Sequence, residues 1–133
     1  MKFKTSDIEE EFRGLRKTVK FQFRSRLGLI ARALDYYCQF FFKKEITITH
    51  VLRTQEQQDS FYRDDPVYKV KSWKSVHQFG RGVDIRSMDF EEHEIKQIVD
   101  WVNMSFPYGD GKHATCICHN VGQGEHIHLQ IIY

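Results

Sequence analysis

The sequence predicts an α+β domain: a small, mainly antiparallel sheet flanked by helices. Apolar residues recur at helical spacing through much of the first third and again after Asp89. Between and beyond those stretches, residues 46–52, 82–86 and the C-terminal segment carry strand patterns instead. The 133 residues are 41% apolar, enough for one core, so residues 1–133 read as a single domain. Residues 1–45 form its helical part and residues 46–133 the part that bears the motifs.

From Thr5 to about Lys17, Ile8, Phe12 and Leu15 recur at helical spacing and predict a short amphipathic helix. Val19, Phe21 and Phe23 then alternate as a strand would. A longer helix is expected from about Arg24 to Phe42, with Leu27, Ile30, Ala31, Leu34, Cys38 and Phe41 on its apolar face. The basic residues Arg13, Arg16, Lys17, Lys20, Arg24 and Arg26 read as a solvated helix face.

Ile46 to Leu52 reads as a strand with Ile46, Ile48, His50 and Leu52 on one side. Thr54 to Gln57 resembles a capping box, which places Arg53 at a strand end just before a helix. Asp64 to Ser75 reads as a loop, and Gly82 to Arg86 as a strand. Asp89 to Glu92 resembles a helix N-cap followed by Ile95, Ile98, Val99 and Val102 at helical spacing. That helix ends by Pro107, and residues 108–112 are turn material.

Two strands, His113 to Cys118 and His126 to Ile132, close the chain. In the second, Ile127, Leu129 and Ile131 face the core, so His126, His128 and Gln130 project from the other side.

Twenty basic against eighteen acidic residues give a formal charge of +2, too balanced for nucleic acid to be the main partner. The three cysteines, Cys38, Cys116 and Cys118, cannot close a disulfide framework and fit a reducing compartment. Met1 to Glu10 lacks an apolar signal core, and no run is long enough to span a bilayer. The expectation is a soluble chain made in the cytoplasm. Cys116-Ile-Cys118-His119 lacks the two-residue gap of a structural zinc site, and its cysteines read as packed strand residues.

Two stretches carry chemistry: Ser75-Val-His77-Gln-Phe-Gly-Arg-Gly-Val-Asp84 and Glu125-His126-Ile-His128. Together they offer imidazoles and a carboxylate for a metal, with a further carboxylate and imidazole beside them. A three-ligand site of that kind leaves zinc an open position, and such a site lowers a water's pKa from ~15.7 to about 7. A neighbouring carboxylate can then take its proton.

The ordered pattern Ser-x-His-x-x-Gly-Arg-x-x-Asp, followed by Glu-x-x-His ending in His-x-His, resembles the zinc D-alanyl-D-alanine carboxypeptidase and L-alanyl-D-glutamate endopeptidase family. It is similar more broadly to the fold group shared with murein endopeptidases and the signalling domain of Hedgehog. The resemblance runs from about Ile46 to the C-terminus.

It implies one zinc ion held by His77, Asp84 and His128, with Glu125 as general base. His126 would stabilise the oxyanion or orient water. Arg53 would grip a substrate carboxylate through its planar fork, with Ser75 a further substrate hydrogen bonder. Glu125 has the opposite strand parity to His126 and His128. Gly122 and Gly124 are expected to place it in the loop entering the strand. His119 reads either as a supporting donor or as surface.

The implied activity is zinc-dependent cleavage of peptidoglycan stem peptides by a monomer, with no nucleic-acid or membrane partner. The settings that fit are a phage endolysin released to the cell wall by another protein and a cytoplasmic enzyme acting on wall fragments. The competing readings are a binding module that keeps zinc without catalysis and a phage accessory protein.

Overall fold

A computed structural model describes residues 1–14, 21–51, 56, 59–60, 63–67, 81–120, 122 and 124–132, and only the backbone for 21–25. Within these residues the chain is α+β, as its periodicities predict. The elements are β1 (Lys2–Phe3), α1 (Ser6–Gly14), α2 (Phe21–Phe42), β2 (Thr47–His50), β3 (Gly82–Arg86), α3 (Glu92–Ser105), β4 (Cys116–Asn120) and β5 (Glu125–Gln130). The five strands form one sheet in the order β1-β2-β3-β5-β4. Only β1 and β2 run parallel; the other pairs are antiparallel.

The core lies between one face of the sheet and the helices. Val83 and Ile85 of β3 and Ile127 and Leu129 of β5 are fully buried, and they meet Leu27, Ile30, Ala31, Leu34 and Cys38 of α2 and Ile98 and Val102 of α3. Full burial of each Leu or Ile stabilises the fold by about 1.5–3 kcal/mol before entropy is counted. Tyr37 of α2 stacks on Trp101 of α3 with ring centroids 4.3 Å apart, which locks the two helices together. Phe12 brings α1 into the same core and lies 5.5 Å from the Phe3 ring.

Asp35 explains how the N-terminal elements are tied. Its carboxylate is buried on α2 and accepts from the Ile46 backbone N–H at 3.0 Å, the Gln39 amide at 2.7 Å and the Met1 amine at 3.0 Å. An unpaired carboxylate at that depth would cost several kcal/mol, so these three donors are what make the position tolerable.

Several expected boundaries move. The helix expected from Arg24 begins at Phe21 and absorbs the Phe21/Phe23 alternation. Phe41 was expected on its apolar stripe but is 61% exposed, and its neighbour Phe42 packs against the core instead. The helix after Asp89 begins at Glu92, with Glu94 accepting the Glu91 backbone N–H at 2.8 Å. The capping residues therefore sit two positions later than Asp89 and Glu92 suggested. β4 covers Cys116–Asn120 rather than residues 113–118. Residues 109 and 111 are glycines at φ +101° and +72°, the left-handed geometry that holds β4 back until after the turn.

The strand expected over 46–52 contains a register shift. Ile48 pairs with Ile85, but His50 pairs with Asp84, so an irregularity separates Ile48 from His50. Val51 is buried in consequence, and His50 moves off the face it was expected to share with Ile46 and Ile48.

Candidate metal centre

The sheet face turned away from the helices gathers the imidazoles. Antiparallel partners directly opposite one another point to the same side of a sheet. Asp84 of the central strand β3 pairs with His128 of β5 on one flank and with His50 of β2 on the other. His126, two residues before His128, pairs with His119 of β4. Alternation within β5 sends Ile127 and Leu129 into the core, and His126 and His128 therefore emerge beside Asp84.

Distances bind the group. Asp84 Oδ1 lies 2.7 Å from His128 Nδ1 and 3.6 Å from His126 Nε2. His119 Nε2 lies 3.0 Å from His126 Nε2. His126 Nδ1 is 3.0 Å from the Gly124 carbonyl oxygen, which can only accept, so the ring carries its proton on Nδ1. With that tautomer, it is Nε2 of His126 that faces His119 Nε2 and the rest of the cluster.

One ring nitrogen from each of His119, His126 and His128 lies within 4.8 Å of the other two. The side chains of Asp84 and His128 are 9% and 7% exposed, and that of His126 is 13% exposed. A carboxylate and imidazoles in such shelter form a donor set of the kind zinc accepts, nitrogen and oxygen ligands on rigid strands. The residues fit a divalent ion.

Of the expected site, the structure brings Asp84, His126 and His128 together. His77, Arg53 and Ser75, with the capping residues Thr54 and Gln57, lie outside the described residues. Glu125 is a correction in placement. Instead of sitting in the entering loop, it is the first residue of β5 and pairs with Asn120. The glycines before it do turn the backbone, at φ +92° for Gly122 and +85° for Gly124, but the strand is already regular at Glu125. It therefore shares the side of Cys118 and Ile127, opposite the histidines. Burial raises the Cys118 thiol pKa, and the negative charge and hydrogen bond of Glu125 raise it further.

His119 is the residue that the sequence reading undervalued. A strand ending at Cys118 leaves it in a loop; two more residues of pairing set it opposite His126. The same alternation separates it from the thiols. Cys116 pairs with Leu129 and Cys118 with Ile127, so both cysteines face the core side and cannot join His119 in a Cys/His zinc site. Burial pushes the Cys116 thiol up to about 12, the behaviour of a packed residue rather than a ligand thiolate.

Among the described residues no helix is long and apolar enough to cross a membrane. No family model, curated protein or solved structure matches the chain.

Proposed function

We propose that this protein is a zinc-dependent hydrolase of peptide bonds in peptidoglycan stem peptides. The observation that supports this most is the convergence of Asp84, His126 and His128 on one sheltered sheet face, with Asp84 and His128 2.7 Å apart. These are three of the residues to which the motif resemblance assigns roles, and they meet from strands more than forty positions apart in sequence.

In this reading Asp84 and His128 hold the ion, with His77 as the third ligand that the resemblance implies. When bound, zinc supplies a Lewis acid and lowers the pKa of water. His126 presents an imidazole beside the ligands, where its Nε2 can accept from and orient the attacking water. The rigid β3–β5 ladder fixes these groups before substrate arrives, which is the source of electrostatic preorganisation. Arg53 serves as the clamp for a free carboxylate on the substrate, and Ser75 as a hydrogen-bonding contact.

The test is mass spectrometry of purified peptidoglycan after digestion with zinc-loaded protein. New termini should mark cleavage at D-Ala-D-Ala or at L-Ala-D-Glu, and His128→Ala should abolish them. No released peptide from the loaded wild-type protein would refute the hydrolase reading.

One observation favours a second reading, a zinc-retaining binding module. The resemblance makes Glu125 the general base, yet Glu125 lies on the sheet side opposite the histidines. Glu125→Gln separates the two. A hydrolase that uses this carboxylate loses turnover and keeps zinc, whereas a binding module shows no turnover in either form.

A further inference from the structure

We propose that His119, His126 and His128 form a three-imidazole site for a divalent transition ion, overlapping at His128 with the His77–Asp84–His128 set. The resemblance gives His119 no part in metal binding. The sheet gives it one, because register places it directly opposite His126 on the face that carries the metal residues.

The spacing suits a shared ion. Two nitrogens bound to a tetrahedral zinc at 2.0–2.1 Å lie about 3.3 Å apart. His119 Nε2 and His126 Nε2 stand 3.0 Å apart, close to that edge, and one ring nitrogen of each of the three imidazoles lies within 4.8 Å of the other two. Closing the triangle onto an ion requires side-chain adjustment and no change in strand pairing.

Tautomers favour the same outcome. The Gly124 carbonyl accepts from His126 Nδ1, so Nε2 is the nitrogen left to face an ion. His119 has only to carry its proton on Nδ1 rather than Nε2 to present a second. Asp84 accepts from His128 Nδ1 at 2.7 Å and fixes the third ring, as carboxylates do for metal-bound imidazoles.

A purely structural imidazole pair would need His119 and His126 alone. Convergence of a third ring from the next position on the same strand face is what an ion-binding triangle adds. Three nitrogen ligands suit zinc, cobalt, nickel or copper rather than magnesium or calcium, and they leave one position of a four-coordinate ion open.

The site stands apart from the hydrolase reading, since metal binding and turnover are measured separately. Cobalt(II) is the probe, followed by its visible absorption in the His77→Ala protein. With the other ligand set disabled, that protein should still bind cobalt with a tetrahedral-type spectrum. Adding His119→Ala should raise the Kd about tenfold or more.

Adding His119→Gln instead should weaken binding as much, although its amide N–H can still donate to His126 Nε2. Far-UV circular dichroism confirms that each variant is folded. A folded His77→Ala protein that binds no cobalt would overturn the proposal. So would a His77→Ala/His119→Gln protein that binds as tightly as His77→Ala alone. Failure of the wild-type protein to cut stem peptides, with cobalt binding intact, would count against the hydrolase and leave this site standing.

Discussion

Asp84→Asn should weaken zinc binding by at least ten- to a hundredfold. Asparagine keeps the shape of the side chain and retains an oxygen that can accept from His128 Nδ1, so the change removes charge more than contact. The carboxylate is 9% exposed and lies 2.7 Å from one imidazole and 3.6 Å from another, where solvent screens little.

If Asp84 only orients His128, losing the charge-assisted bond should reduce affinity by about 10- to 100-fold, or ~1.4–2.8 kcal/mol at ~1.4 kcal/mol per tenfold. If Asp84 is a ligand, as the proposed function has it, one of three protein ligands loses its charge and the fall exceeds that range. Competition for zinc against a chromophoric chelator measures Kd directly, with a urea melt of the metal-free variant to show that the fold persists. An unchanged Kd in folded Asp84→Asn protein would refute the placement of the metal on this face.

Leu129→Ala removes a fully buried side chain between Val83 and Cys116 and should cost about 3 kcal/mol, which at an m-value near 2 kcal/mol/M lowers the urea midpoint by about 1.5 M. Burial pushes the Cys38 and Cys116 thiols up to about 12, so at pH 8 only about one in ten thousand of each is thiolate. Iodoacetamide should spare both in the folded protein and modify the half-buried Cys118 first, while denaturant exposes all three; rapid native modification of Cys116 would contradict its packing.

Backbone hydrogen bonding from His113, its side chain, and the Lys112 N–H lower the Asp110 carboxyl from 3.8 to about 2. Its contribution to stability is therefore present above about pH 3.8 and lost as pH falls toward 2. A carbon-detected NMR titration should place the Asp110 midpoint near 2, and a midpoint near 3.8 would show that this turn is not formed.

The turn that precedes β4 and the strand that ends the chain show how differently sequence can inform. In β5, apolar and polar residues alternate without a break, so assigning Ile127, Leu129 and Ile131 to the core fixed the direction of His126 and His128. Parity also warned that Glu125 points the other way. The glycines at 122 and 124 suggested an escape that the backbone does not take, because both turns are finished before pairing with Asn120 begins. At His50 the error ran in the other direction. Regular alternation put it on the side of Ile46 and Ile48, and a single register shift in β2 set it opposite Asp84.

The sequence by itself determined the α+β class, the helical core stripe from Leu27 to Cys38, and the polar face that bears His126 and His128. Those features follow from periods of two and 3.6 residues, which any stretch of chain displays without knowing its neighbours. Pairing partners are another kind of information. That Asp84 lies between His50 and His128, and that His119 meets His126, depends on which strands adjoin and in what register. Hydrogen bonds between distant segments set that register, so only the tertiary structure could decide which imidazoles meet.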